Sequence, residues 1–91
     1  MYVDLIVWDS EDDPDGNIRH ILGPGEVTIE EVEEVLHAHS GAFDTSDSSG
    51  RPIIFGWTSS GKHIAVVFEY DDDGGFVIVR PVTSYPVKEW G

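Results

Sequence analysis

No cysteine occurs anywhere in the 91 residues, which excludes disulfides, thiolate metal sites and cysteine nucleophiles together. Cations are nearly as scarce. Arg19, Arg51, Lys62, Arg80 and Lys88 stand against 18 Asp and Glu, giving a net charge of −13 with neutral histidines. Nucleic-acid binding draws much of its affinity from phosphates neutralised by lysine and arginine, so this balance repels polyanions unless the few cations gather in one place. The acidity points either to a basic partner surface or to the solvated coat that a high-salt cytoplasm favours. Long apolar runs are missing too: none approaches the roughly 18 residues that a membrane-spanning helix requires. The opening Met1, Tyr2, Val3 and Asp4 contain no basic or apolar leader stretch, so a cytoplasmic location without a membrane partner is the expectation.

What is present is enough apolar material for a core. Hydrophobic residues make up 40% and aromatics 11%, well above the composition of chains too polar to collapse. The length fits one domain, residues 1–91, with one sheet and one or two helices around one core.

Along the chain, Tyr2 to Trp8 reads as a strand, with Val3, Leu5 and Val7 as its uniformly aliphatic face and Ile6 and Trp8 partly covered on the other. Asp9 to Gly16 is an acidic turn around Pro14 and Gly16. A short helix over Asn17 to Leu22 follows, stopped by Gly23, Pro24 and Gly25. The next helix has three start signals: Thr28 as cap, Glu31 completing a capping box, and Val27 positioned to staple onto Val32. Ile29, Val32, Val35 and Leu36 share one face of it, while Glu30, Glu31, Glu33 and Glu34 mostly face water. The early glutamates suit the positive end of the helix dipole, and His37 and His39 the other end, with Gly41 as the stop.

Gly41 to Gly50 reads as loop with one short strand at Ala42 to Asp44. Three strands then follow, Ile53 to Thr58, His63 to Tyr70 and Phe76 to Thr83, joined by hairpin turns at Ser59 to Gly61 and Asp71 to Gly75. Ile64, Val66, Phe68 and Tyr70 form the face on which the helix is expected to pack. Pro81 cannot donate to a ladder, so the last strand is bulged or at an edge there. The fold class is α+β: an antiparallel sheet of about four strands, its C-terminal three a meander, packed against one or two helices.

Several chemistries fail on spacing. Glu11, Asp13 and Asp15 match the first, third and fifth positions of a calcium loop and Gly16 the sixth, but Arg19 stands at the ninth and Leu22 where the bidentate glutamate belongs. His37 and His39, two apart, point about 200° away from each other on a helix and do not form a metal pair. No phosphate-cradling glycine loop is present, and no elbow motif frames Ser59, Ser60 or Ser84. No metal or cofactor is expected.

Trp8 and Asp9, then Asn17, Arg19 and His20, then Val27, Glu31 and Val35 resemble the opening of BrnT-like proteins. Gly50 and Arg51, Gly56, Gly61, Val66, Val67, and finally Arg80, Val82, Thr83 and Ser84 are similar to that family's later strands. The resemblance implies a RelE-like ribonuclease toxin fold of a type II toxin–antitoxin system, neutralised by a basic ribbon-helix-helix antitoxin. The implied activity is metal-independent endoribonuclease cleavage, which needs an acid and base for protons and cations for the developing phosphorane charge. His20 is then the candidate acid or base, Arg51 and Arg80 the candidate charge stabilisers, and Arg19 and Tyr85 the candidate substrate contacts. The chain departs from the family where Tyr85 and Pro86 replace a second basic residue, and where it ends without the basic helical extension many members carry. Two functions therefore stand side by side: a ribonuclease that gathers His20, Arg51 and Arg80 into a locally positive cleft, or a non-catalytic acidic interaction module on the same fold, with Trp57 or Trp90 as anchors.

Overall fold

A computed structural model describes residues 3–10, 12–22, 26–38, 44–45 and 50–87. Expectations that fall on Tyr2, Glu11, Gly23 to Gly25, His39, Gly41 to Phe43, Lys88 and Trp90 lie outside those residues. The described elements are β1 (Leu5–Ile6), α1 (Asn17–Leu22), α2 (Ile29–Ala38), β2 (Asp44–Thr45), β3 (Pro52–Trp57), β4 (His63–Asp73) and β5 (Phe76–Pro86). No helix among the described residues is long and apolar enough to cross a membrane.

The α+β class holds, but the sheet is mixed and not purely antiparallel. The sheet has five described strands in the order β1-β5-β4-β3-β2, and β1 runs parallel to β5, pairing Leu5 with Ile78 and Ile6 with Val79. β4 fills one side of β5, so β1 takes the other, and both helices follow β1 before the chain re-enters the sheet. That intervening crossover is what a parallel pairing requires. The first strand is also shorter than its alternation suggests. Single bonds extend its contact with β5, from Asp4 N to Val77 O at 2.9 Å and from Val7 N to Val79 O at 2.8 Å.

Helix α2 begins as its sequence dictates. The Thr28 N–H donates to Glu31 Oε1 at 2.9 Å and the Glu31 N–H to Thr28 Oγ1 at 3.2 Å, closing a capping box that satisfies two donors the helix itself leaves open. Lys62 adds its ammonium to Glu31 Oε1 at 3.2 Å and donates to the Glu26 carbonyl. Its glutamates are less idle than amphipathicity implies: Glu33 accepts from the Trp8 indole at 3.2 Å and Glu34 from the Ser59 N–H at 2.9 Å. Of the four only Glu30 is exposed, the other three being half-buried.

Two hairpins make the meander. Gly74 and Gly75 both have left-handed backbone, with φ of 61° and 93°, as a two-residue type I′ turn requires. The expected five-residue turn over Asp71 to Gly75 therefore contracts to those glycines, and Asp71, Asp72 and Asp73 join β4 opposite Ile78, Val77 and Phe76. Ser59, Ser60 and Gly61 form the other loop, closed by Gly61 N to Thr58 O at 2.9 Å. Around Pro81 the register slips: Val67 faces Thr83 while Phe68 faces Pro81, leaving Val82 as the extra residue. The proline that cannot donate thus sits at a bulge inside the sheet.

The sheet is covered on one face. Val32, Val35 and Leu36 of α2 and Ile21 of α1 pack with Ile54, Ile64, Val66, Phe68, Val77 and Val79, and Ile6 and Trp8 lie against the same cluster. Each large aliphatic or aromatic side chain so buried contributes about 1.5–3 kcal/mol. Tyr70 shares this face, beside Val79 and with its ring 6.2 Å from that of Phe68, but is exposed because it lies where β4 has run out toward the hairpin. Leu5 is likewise exposed, whereas Val3 of the same aliphatic set is buried in the main cluster and Ile6 and Trp8 of the other set lie against it, so the first segment meets the core from both sets. On the opposite face Ile53, Ala65 and Val67 form a small cluster with Val87 against it, and no helix among the described residues lies over them.

Candidate functional site

Asn17 organises the polar end of the molecule. It is almost fully buried, at the start of α1, and its Nδ2 donates to the carbonyls of Val7 and Pro81, both at 3.0 Å. Its Oδ1 accepts the Asp9 N–H at 2.8 Å, and its own N–H donates to Asp9 Oδ2 at 2.9 Å. One amide thereby joins the end of β1, the start of α1 and the bulge of β5. Gly16 is required beside it, since a Cβ there would lie 2.9 Å from the Asp9 Cβ.

Asp9, held in this way, receives Arg80: Nη2 lies 2.5 Å from Oδ2. The Asn17 N–H, then the Arg80 guanidinium, hold the Asp9 carboxyl below its ordinary value. Arg80 also faces Glu69 across the β4–β5 ladder, with Nη1 3.6 Å from Oε1, and Arg51 approaches the same oxygen through Nε at 3.8 Å. Arg51 and Arg80 therefore meet at Glu69, in a charge-balanced cluster and not in the locally positive cleft with His20 that the ribonuclease reading calls for.

His20 lies exposed on α1, and among the described residues no side-chain hydrogen bond or ion pair links it to Arg51 or Arg80. Arg19 is its exposed neighbour on the helix. Tyr85 stands opposite Ala65 while Arg80 stands opposite Glu69, a separation of roughly 14 Å along β4 at about 3.4 Å per residue. In the acidic turn Asp13 Oδ1 accepts the Asp15 N–H at 3.0 Å, and Asp9 Oδ2 accepts the Asn17 N–H.

A second group of side chains lies on the helix-free face. Trp57 stacks on His63 with ring centroids 4.5 Å apart and planes 8° from parallel, and Phe55 tilts against the same imidazole at 6.4 Å. Phe55, Trp57 and Tyr85 are 43%, 55% and 44% exposed. Trp57 was legible as an exposed aromatic, whereas the exposure of Phe55 and the stacking of His63 were not. The available signal was the alternation Phe55, Trp57 on β3, which the register sets beside Ala65 and His63. At the edge of this group Val35, Ala38, Phe55, Gly56 and Trp57 line an open groove of about 220 Å³.

No family profile, curated protein or solved structure matches this chain. The site must be read from its chemistry alone. The Asp9, Glu69, Arg51 and Arg80 cluster balances two cations with two anions, and Lys62 is matched by Glu31 in the same way. Such a cluster ties elements together and presents mixed charge. The aromatic group offers ring faces and apolar area to a macromolecular surface.

Proposed function

We propose that this chain is a non-catalytic acidic interaction module for a basic protein partner. The observation that carries this reading is the pairing of Arg51 and Arg80 with Glu69 and Asp9 in a chain of net charge −13. Cations already balanced by carboxylates contribute little to holding a phosphodiester, and the surrounding field opposes RNA approach. The same field steers a basic protein surface inward and speeds its association.

The second reading is the BrnT-like, metal-independent endoribonuclease of a toxin–antitoxin pair. The meeting of Arg51 and Arg80 at one carboxylate favours it, since both cations would have to be gathered for that chemistry. A basic ribbon-helix-helix antitoxin is the partner it implies, so the two readings share an attraction for basic protein and differ over RNA. The deciding experiment is RNA degradation by the purified chain at low salt with chelator, beside a His20→Ala, Arg80→Ala double variant. No cleavage by either is the expected result. Cleavage by the wild type that vanishes in the double variant would overturn the module reading in favour of the ribonuclease.

A further inference from the structure

Strand β4 presents His63, Ala65, Val67, Glu69, Asp71 and Asp73 toward the helix-free side, because alternate residues share a face and Ala65 and Val67 lie in the cluster there. The register carries that face outward from β4. Trp57 and Phe55 of β3 stand beside His63 and Ala65, Tyr85 beside Ala65, and Arg80 and Phe76 beside Glu69 and Asp73. The face is therefore polarised. Exposed aromatics surround the buried Ile53, Ala65 and Val67 at one end, the balanced Glu69, Arg80 and Arg51 cluster lies in the middle, and Asp71 and Asp73 lie at the hairpin end beside Ile78 and the exposed Phe76. Among the described residues no cation pairs with Asp71 or Asp73, in contrast to Asp9, Glu31 and Glu69.

We infer that this sheet face docks a basic segment of a partner protein, apolar where it meets Phe55, Trp57 and Tyr85 and cationic where it meets Asp71 and Asp73; the inference rests on the interaction-module reading. Charge complementarity selects the occupant. A second copy would bring another −13 and a second acidic hairpin against the first, and RNA would bring phosphates to unpaired carboxylates. A segment bearing lysine or arginine at one end gains at both ends. Its apolar side chains cover exposed rings, its cations replace solvent around the aspartates, and lysine or arginine can also lie over the Trp57 or Tyr85 ring. From Ala65 to Asp73 the face spans roughly 27 Å at about 3.4 Å per residue, so the segment needs about eight extended residues or a longer helix.

The test uses the full chain, isotope-labelled for amide NMR and titrated with a synthetic peptide of roughly ten residues, leucine and phenylalanine in one half and lysine in the other. A control peptide carries glutamate for lysine. Expected are shifts concentrated at Phe55, Trp57, His63, Ala65, Asp71, Asp73 and Tyr85, and no binding of the control. Trp57→Ser should weaken binding about tenfold, and Asp71→Asn with Asp73→Asn about threefold at low salt with a flatter salt dependence. The aspartate pair is exposed, so that variant remains decisive if Trp57→Ser fails to fold. Shifts centred on α1, α2 or the acidic turn would overturn the assignment, as would equal affinity for the control. So would the same shifts from self-association or from poly-uridine, or their appearance in the free chain on Trp90→Ser, which would put the chain's own end on the face. Peptide binding elsewhere would sink this inference while leaving the module reading standing; RNA cleavage would sink that reading whichever face the peptide chose.

Discussion

Replacing Asn17 by alanine removes three side-chain bonds at once, to the Asp9 N–H and to the carbonyls of Val7 and Pro81. The side chain is 2% exposed, so water does not readily take its place. At about 1 kcal/mol net per bond, three bonds lost at a buried site give an expected loss of about 3 kcal/mol. A chain of this length has roughly 5–14 kcal/mol in all, and the melting temperature should fall by roughly 12–24 °C. Urea unfolding followed by far-UV circular dichroism measures the loss directly, with the slope m expected unchanged. Asn17→Asp sharpens the argument. It retains an acceptor for the Asp9 N–H but turns oxygen toward two carbonyls and adds charge beside Asp9. It should therefore be worse than alanine at neutral pH and recover as acid protonates the new carboxyl into a donor. A loss below about 1 kcal/mol for Asn17→Ala, or no pH dependence of the difference, would refute the view of Asn17 as the pin between β1, α1 and β5.

Three further outcomes follow from the packing and the pairs. A Cβ at Gly56 would lie 2.8 Å from Val35 Cγ1, so Gly56→Ala should cost about 1–3 kcal/mol, and combining it with Val35→Ala should cost less than the sum of the two, as a double-mutant cycle in urea reads. Thr28→Ala opens the capping box and should cost about 1 kcal/mol by the same assay. Burial raises the Glu31 carboxyl, but the Thr28 N–H and the Lys62 ammonium outweigh it and leave Glu31 below its ordinary 4.5, as the Asn17 N–H and Arg80 leave Asp9 below 3.8. Both folded values are depressed, so the unfolded chain binds protons first. Their stabilisation is complete above about pH 4.5 and lost as pH falls through the folded values. Melting temperatures from neutral pH into that acid range should fall more steeply for the wild type than for Asp9→Asn.

Local signals were legible because their physics is local. The Thr28 and Glu31 pair, the bounds of α1, the glycines of both hairpins and the disruption at Pro81 each depend on neighbours a few residues away, and the structure places them accordingly. Strand direction is not encoded that way. Alternation in the first strand is the same whether it pairs parallel or antiparallel, and its aliphatic set is only partly inward, because Val3 is buried in the core while Leu5 is exposed and Ile6 and Trp8 of the other set lie against the core. The candidate site was legible in part for the same reason. Arg51 and Arg80 could be named as cations, but Glu69 and Asp9, which lie 18 and 71 residues from their respective arginines, reach them only through the ladder and the Asn17 pin.

Glu69 is the residue at which the two functional readings part. It is 54% exposed and its contacts with Arg51 and Arg80 are 3.8 and 3.6 Å long, so Glu69→Gln should change stability by no more than about 1 kcal/mol. Its effect on net charge is as small, from −13 to −12 by loss of one carboxylate. Locally the change is large, since the carboxylate shared by the two arginines is gone, and at physiological ionic strength charges beyond about 8 Å are largely screened. If catalysis were merely masked by that pairing, the variant would unmask it. Arg80 still has Asp9 at 2.5 Å, and Asp71 still follows Glu69 on the same face, so the expected result is no RNA cleavage. Poly-uridine binding, followed by fluorescence anisotropy, should rise no more than about threefold. Cleavage that appears in Glu69→Gln and disappears again when His20→Ala is added would mean that Arg51, Arg80 and His20 form a latent ribonuclease centre, with the net charge of the chain no obstacle to it.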